Sequence, residues 1–184
     1  MASSSGNIYE YTPGGVQSTF ASGLSFPYGL AFNSAGNLFV SSGDGNIYEY
    51  TPDGTQSAFA SVFPERPVGL AFDSAGDLFV ASYFGGGLDG TGNIYEFTPG
   101  GAQSAFASGL NFPVGLAFDS ADDLFVSDSY NIFEYTPGGV QSTFASSPVG
   151  LGFLSFQPES VPEPSMCALS ALGLAMLSGF RRRK

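Results

Sequence analysis

One phrase written four times constrains this chain more than its composition does. It reads GNIYEYTPGGVQSTFAS from Gly6, GNIYEYTPDGTQSAFAS from Gly45, GNIYEFTPGGAQSAFAS from Gly92 and YNIFEYTPGGVQSTFAS from Tyr130. A second phrase alternates with it: PYGLAFNSAGNLFVS from Pro27, PVGLAFDSAGDLFVA from Pro67, PVGLAFDSADDLFVS from Pro113, and a partial copy, PVGLGF, from Pro148. Such periodicity means one supersecondary unit used repeatedly, each copy burying its apolar faces against its neighbours.

Each full unit holds four short apolar or aromatic runs: a (GLAF), b (LFVS), c (NIYEY) and d (QSTFAS). Asp-Ser-Ala-Gly or a variant separates a from b, and Thr-Pro-Gly-Gly or Thr-Pro-Asp-Gly separates c from d. Proline presets φ for the first turn position, and glycine or asparagine accepts a positive φ at the next. Runs this short, joined by such turns, form an antiparallel meander and leave no room for helices of about ten residues. Four strands in roughly 40 residues is the spacing of a β-propeller blade. Blades pack on both faces, which is why runs a and b are almost continuously apolar. In run c, Tyr9 and Tyr11 share one face and Ile8 and Glu10 the other. Glu49, Glu96 and Glu134 keep the Glu10 slot. A carboxylate there reaches solvent at the sheet rim; a repeated ion-binding ring is the functional alternative.

The expected fold is therefore all-β, a propeller of four-stranded antiparallel blades, with a short apolar helix at the C-terminus. The units divide as a partial blade 1–22, blades 27–61, 67–108 and 113–146, and a closing strand 148–154 that pairs with the N-terminal c and d runs. MASSSGNIYEY aligns with FVSSGDGNIYEY if Met1 stands where Val40 stands in its own copy. That alignment suggests an incomplete, N-terminally truncated version of a larger propeller, about four blades as given. A closed four-bladed ring with one strand position unfilled is the alternative.

Charge is divided along the chain. Residues 1–160 hold fifteen of the sixteen acids against Arg66 alone, a balance of −14, whereas residues 161–184 set Glu163 against Arg181, Arg182, Arg183 and Lys184, a balance of +3. A body of that sign repels phosphate backbones, so nucleic acid is not an expected partner. The sequence has no histidine, which removes the commonest general base and imidazole ligand, and a single cysteine, Cys167, which excludes an internal disulfide. No Walker loop, HExxH motif or nucleophilic triad can be assembled. The insertion YFGGGLDGTG lengthens one b-to-c connection and carries Asp89. Asp128, where other copies carry serine, is the least repetitive acid. Asp89 and Asp128 are the candidate calcium ligands; otherwise no cofactor is expected. No singular carboxylate stands out at an a-strand position near the channel, and Asn33, Asp73 and Asp119 are read as formers of the a-to-b turn.

The alternation of PVGLAFDSAGDLFV with GNIYEYTPDG resembles the NHL and gluconolactonase/regucalcin-like β-propellers over residues 6–154. The resemblance implies six blades, and for the lactonases a divalent metal held in the central channel by a Glu, an Asn and an Asp of different blades. Lyases of similar architecture use a catalytic histidine, which this chain lacks. Nearly uniform blades suit a scaffold, since catalysis requires unlike groups around one reacting atom.

The C-terminus departs from this pattern. A linker, 157–165, contains Val161-Pro162-Glu163-Pro164; Met166–Phe180 has no charge; and Arg181-Arg182-Arg183-Lys184 ends the chain. As a helix the apolar run spans about 22 Å, less than the ~30 Å of a bilayer core, and cations after it act as a cytoplasmic stop. The arrangement resembles a PEP-CTERM sorting signal. That resemblance implies export across the inner membrane of a Gram-negative bacterium and a transient anchor at 166–180. It also implies recognition of Pro162, Glu163 and Pro164 by an exosortase-type enzyme. The expected protein is a cell-surface or extracellular binding or structural propeller, its partner a matrix polysaccharide or a surface protein, with Tyr28, Phe84 and Tyr130 as candidate aromatic contacts. Two other readings stay open: a metal-dependent lactonase-like hydrolase with part of its site in missing blades, and a nonfunctional product with association-prone open edges.

Overall fold

The structure, a computed structural model, describes residues 6–84, 90–147 and 150–156. Its strands are β1 (Ile8–Tyr11), β2 (Gln17–Ala21), β3 (Pro27–Phe32), β4 (Leu38–Ser42), β5 (Asn46–Tyr50), β6 (Gln56–Ser61) and β7 (Arg66–Phe72). They continue as β8 (Leu78–Tyr83), β9 (Thr91–Phe97), β10 (Gln103–Asn111), β11 (Gly115–Phe118), β12 (Leu124–Ser127), β13 (Asn131–Tyr135) and β14 (Gln141–Ser146). Three four-stranded antiparallel meanders, β3 to β6, β7 to β10 and β11 to β14, follow a two-stranded β1–β2 hairpin. The fold is all-β, with sheets that match propeller blades of a partial propeller. The described residues include no helix, and so none long and apolar enough to cross a membrane. Residues 161–184, the sorting motif, apolar run and basic stop, lie outside the described residues.

The turns close as their residues dictate. In each c-to-d turn the last glycine donates to the threonine carbonyl three residues back, as Gly54 does to Thr51 at 2.8 Å, with φ near +85°. In the a-to-b turns, Oδ1 of Asn33, Asp73 and Asp119 accepts the N–H of Asn37, Asp77 and Asp123 at 2.8–2.9 Å, the side-chain turn expected of these residues. The c-strand glutamates bind across the sheet: Ser18 donates to Glu10 at 2.8 Å, and Asn37 to Glu49 at 2.7 Å.

The core lies between blades. One cluster joins Phe39 and Ile47 of one blade to Leu70, Leu78, Val80 and Phe97 of the next, and a second repeats this with Phe79, Ile94, Leu116, Leu124, Val126 and Tyr135. At the centre of each, the b-strand phenylalanine meets its own d-strand ring and the following a-strand ring. Phe39 is 5.0 Å from Phe59 and from Phe72, and Phe79 is 5.0 Å from Phe106 and from Phe118, all edge to face. Nearer the axis the backbones almost touch: a Cβ on Gly29 would lie 2.1 Å from the Val68 carbonyl oxygen, and one on Gly69 2.2 Å from that of Val114. Only glycine permits that approach. Ser41 Oγ accepts the Gly29 N–H at 2.7 Å and donates to the Val68 carbonyl at 2.8 Å, pinning adjacent blades.

The segment after β14 differs from the expected closing strand 148–154. Residues 150–156 carry no strand pairing, and the N-terminal sheet contains only β1 and β2. By alignment Val149 and Phe153 should fill the slots of Val68 and Phe72. Instead Ser127 Oγ donates to Gly152 at 2.6 Å, and Phe156 packs 4.8 Å from Phe125, while Phe153 is exposed. The chain thus lies three residues out of the expected register. Gly-Leu-Gly-Phe-Leu-Ser-Phe offers two phenylalanines for one slot, and the later one takes it.

Candidate functional site at the connection end of the blades

Strand direction sorts the connections. Every d-to-a and b-to-c connection emerges at one end of the blades, and the Asp-Ser-Ala-Gly and Thr-Pro-Gly-Gly turns lie at the other. The first end concentrates unlike chemistry, because its connections vary while the turns repeat.

Each blade places an asparagine and an aromatic residue, two apart, at the start of strand c: Asn46 and Tyr48, Asn93 and Tyr95, Asn131 and Phe133. A carboxylate joins them, arriving from a different point of the chain each time. Asp44 sits in the b-to-c turn, where Tyr48 OH donates to its Oδ2 at 3.0 Å and the Asn46 N–H to its Oδ1 at 3.2 Å. Partial burial pushes the Asp44 carboxyl up, but hydrogen bonds from Ser42, Asn46 and Tyr48 outweigh it and leave it below its ordinary value. Burial, then the bond to Asp44, pushes the Tyr48 phenol up.

In the next blade the carboxylate is Glu65, immediately before β7 and only 5% exposed. Asn93 Nδ2 donates to its Oε1 at 2.7 Å, Tyr95 OH to the same oxygen at 3.0 Å, and Ser82 Oγ to Oε2. Burial and then Glu65 push the Tyr95 phenol up, which keeps it a donor. Glu65 is a buried carboxylate that the sequence reading did not single out. Its signal was a connection, Val62-Phe63-Pro64-Glu65-Arg66, one residue longer than Gly23-Leu24-Ser25-Phe26 or Gly109-Leu110-Asn111-Phe112.

In the third blade Asp128, a candidate calcium ligand, is buried. Its Oδ1 accepts the N–H of Tyr130 at 3.0 Å and of Asn131 at 2.8 Å, and its Oδ2 the N–H of Asn111 at 3.4 Å. Those bonds close the b-to-c turn and tie it to the strand before β11. Asp89, the other candidate, lies outside the described residues. Among the described residues no three acids, cysteines or histidines gather closely enough to hold a metal ion. Of the residue types in a lactonase-type Glu, Asn and Asp set, Glu65 has Asn93 beside it, while Asp44 and Asp128 belong to other blades' networks.

Aromatic rings surround these clusters. Phe26, Phe63, Phe84, Phe112 and Tyr130 are exposed at this end, and Tyr28 is half-buried. Phe26 and Phe112 hold φ at 48° and 50°, a region bulky residues avoid unless their surroundings enforce it. Gly43 N–H donates to the Phe26 carbonyl at 3.2 Å, and Phe112 N–H donates to Gly90 at 2.7 Å. Phe84 and Tyr130 were named from the sequence; Phe26 and Phe112, each before an a-strand proline, and Phe63, before Pro64 in the longer connection, were not, because they read as parts of connections.

No family model and no curated protein sequence matches the chain. Solved structures do. A gluconolactonase-type structure matches with a TM-score of 0.66 at 20% identity, over 83% of this chain and 61% of that one. The calcium-binding protein regucalcin from Agrobacterium tumefaciens matches at 0.64 and 17%, over 76% and 52%. Virginiamycin B lyase from Staphylococcus aureus matches at 0.60 and 19%, over 76% and 48%. The chain spans about half to three-fifths of their lengths. What it shares with them is the fold of gluconolactonase- and regucalcin-like β-propellers.

Proposed function

We propose that this chain is an exported binding module whose connection end takes a neutral polysaccharide of the extracellular matrix. The observation that carries the reading is the exposed ring set of Phe26, Phe63, Phe84, Phe112 and Tyr130 around amide, phenol and carboxylate clusters. Flat apolar rings suit the C–H faces of sugars, and fixed acceptors suit hydroxyl groups. The acidic body disfavours polyanionic chains. Phe63→Ala with Phe112→Ala should abolish retention on insoluble neutral glucans while leaving far-UV circular dichroism unchanged; full retention refutes the reading.

The same proposal includes sorting by Pro162-Glu163-Pro164, with exosortase-type processing, a transient anchor at 166–180 and a stop at Arg181–Lys184. Intact mass of the secreted protein tests it: loss of the tail near Pro164 is expected, and an unprocessed secreted chain contradicts it. A second reading, a lactonase-like hydrolase, is favoured by buried Glu65 and by the likeness to gluconolactonase-type propellers. Aldonolactone hydrolysis that needs a divalent cation and is lost in Glu65→Gln would replace the binding reading with this one.

A further inference from the structure

At the turn end of the blades, opposite the connection end, a notch of about 70 Å³ lies between the blade β3 to β6 and the blade β7 to β10, lined by Phe39, Phe59, Phe72, Phe97, Glu49 and Thr98. The four rings hold one another edge to face at 5.0–6.0 Å, which fixes the apolar wall. Glu49 differs from its counterparts. In the other c strands the serine opposite donates to the glutamate: Ser18 to Glu10 at 2.8 Å, Ser104 to Glu96 at 3.4 Å and Ser142 to Glu134 at 3.3 Å. Ser57 lies opposite Glu49 in the same register but makes no such bond. Asn37 donates to Glu49 Oε1 at 2.7 Å, and Oε2 accepts no hydrogen bond among the described residues. The turn beside the notch differs as well. Asp122 of the following blade stands where Gly76 stands here, and its carboxylate reaches across the next interface to accept the hydroxyl of Ser74 and its N–H, the latter at 3.1 Å. Gly76, which lines the notch, has no side chain to close it in that way.

We infer that this notch binds the end of a primary alkylammonium ion, the ammonium group on Glu49 Oε2 and its methylene against the phenylalanine rings. A volume of about 70 Å³ equals roughly two or three water-sized groups, enough for such an end but too small for a pyranose ring or a tetramethylammonium ion. Charge selects the sign of the ligand: a free carboxylate oxygen, on a body whose residues 1–160 hold fifteen acids against Arg66, attracts a cation. The wall selects its kind. Calcium takes about six to eight oxygen ligands, which phenyl rings do not supply, whereas an alkylammonium end uses both a carboxylate and apolar surface. Thr98 Oγ1, which accepts the Ala102 N–H at 3.1 Å, keeps a second lone pair for another ammonium hydrogen. The notch and the proposed polysaccharide face lie at opposite ends of the blades, so the two readings stand or fall separately.

The probe is ethylammonium chloride, titrated into the isotope-labelled full chain while amide NMR shifts are followed. Saturable shifts confined to the backbone amides of Asn33, Gly76 and Thr98 and the side-chain amide of Asn37 are expected, with a Kd of about 10 mM. Glu49→Gln keeps an acceptor for Asn37 and should weaken binding at least about tenfold, while Glu96→Gln, at the carboxylate that Ser104 engages, leaves it unchanged. Nα-acetyl-lysine amide distinguishes the sources of the ammonium: binding of both amines assigns the notch to a lysine side chain, and binding of ethylammonium alone assigns it to a free amine. No saturation by about 100 mM ethylammonium, equal shifts with sodium or tetramethylammonium chloride, or unchanged binding by a folded Glu49→Gln overturns the inference.

Discussion

Replacing Phe79 with alanine tests the packing rule on which the architecture depends. The ring is 6% exposed, with Phe106 and Phe118 each at 5.0 Å in edge-to-face geometry. A buried Phe→Ala change costs about 3–5 kcal/mol in transfer and cavity terms, and each aromatic pair carries about 0.5–1.5 kcal/mol beyond burial. The expected loss is about 4 kcal/mol, a large part of a domain's total stability. Phe32→Ala supplies the contrast: it occupies the a-strand position of Phe118 but is 68% exposed, so its cost stays within about 0.5 kcal/mol. Urea unfolding followed by far-UV circular dichroism and tyrosine emission measures both, the chain having no tryptophan. An unchanged denaturant slope with a lowered midpoint is the expected form for Phe79→Ala. A loss below about 1 kcal/mol, or equal losses for the two variants, refutes the reasoning.

Three further outcomes follow from single groups. Tyr50→Phe removes a buried hydroxyl with no partner and installs the residue that Phe97 already places in the equivalent slot, so stability should be unchanged or about 1 kcal/mol higher in urea; a clear loss would show that the hydroxyl is satisfied. Glu65→Ala strands Ser82, Asn93 and Tyr95 as donors and should cost about 2–3 kcal/mol, with Glu65→Gln milder; equal costs would contradict the network. Burial raises the phenols of Tyr50 and Tyr135 above the ordinary tyrosine value of about 10. The folded state thus holds those protons more tightly, so stability is complete below that value and falls as pH rises through the higher folded values. Phenolate absorbance should show late-titrating tyrosines, one fewer in Tyr50→Phe; a single ordinary transition would count against their burial.

The blades were legible because local and global signals agree. Turn residues, run lengths and the forty-residue period all specify the same four-stranded unit, and β3 to β14 follow it closely. Glu65 was not legible, since its meaning arises only when Ser82, Asn93 and Tyr95 converge from two other strands on a side chain set by a one-residue insertion. Nor was the register of residues 150–156, where two phenylalanines three positions apart compete for the ring beside Phe125 and only packing decides. The exposed Phe26 and Phe112 were hidden by their position before proline, where sequence gives no hint of a positive φ.

The central claim, that near-identical repeat units stack as blades, has an internal control in the sequence. Ile8-Tyr9-Glu10-Tyr11 and Ile47-Tyr48-Glu49-Tyr50 are the same four residues; among the described residues the first set pairs with one strand and the second lies between two. Native-state amide hydrogen exchange compares them at nearly equal intrinsic rates. Exchange at Tyr9–Tyr11 on the order of a hundredfold faster than at Tyr48–Tyr50 is the expected result. Equal protection of the two segments in the free protein would contradict the account.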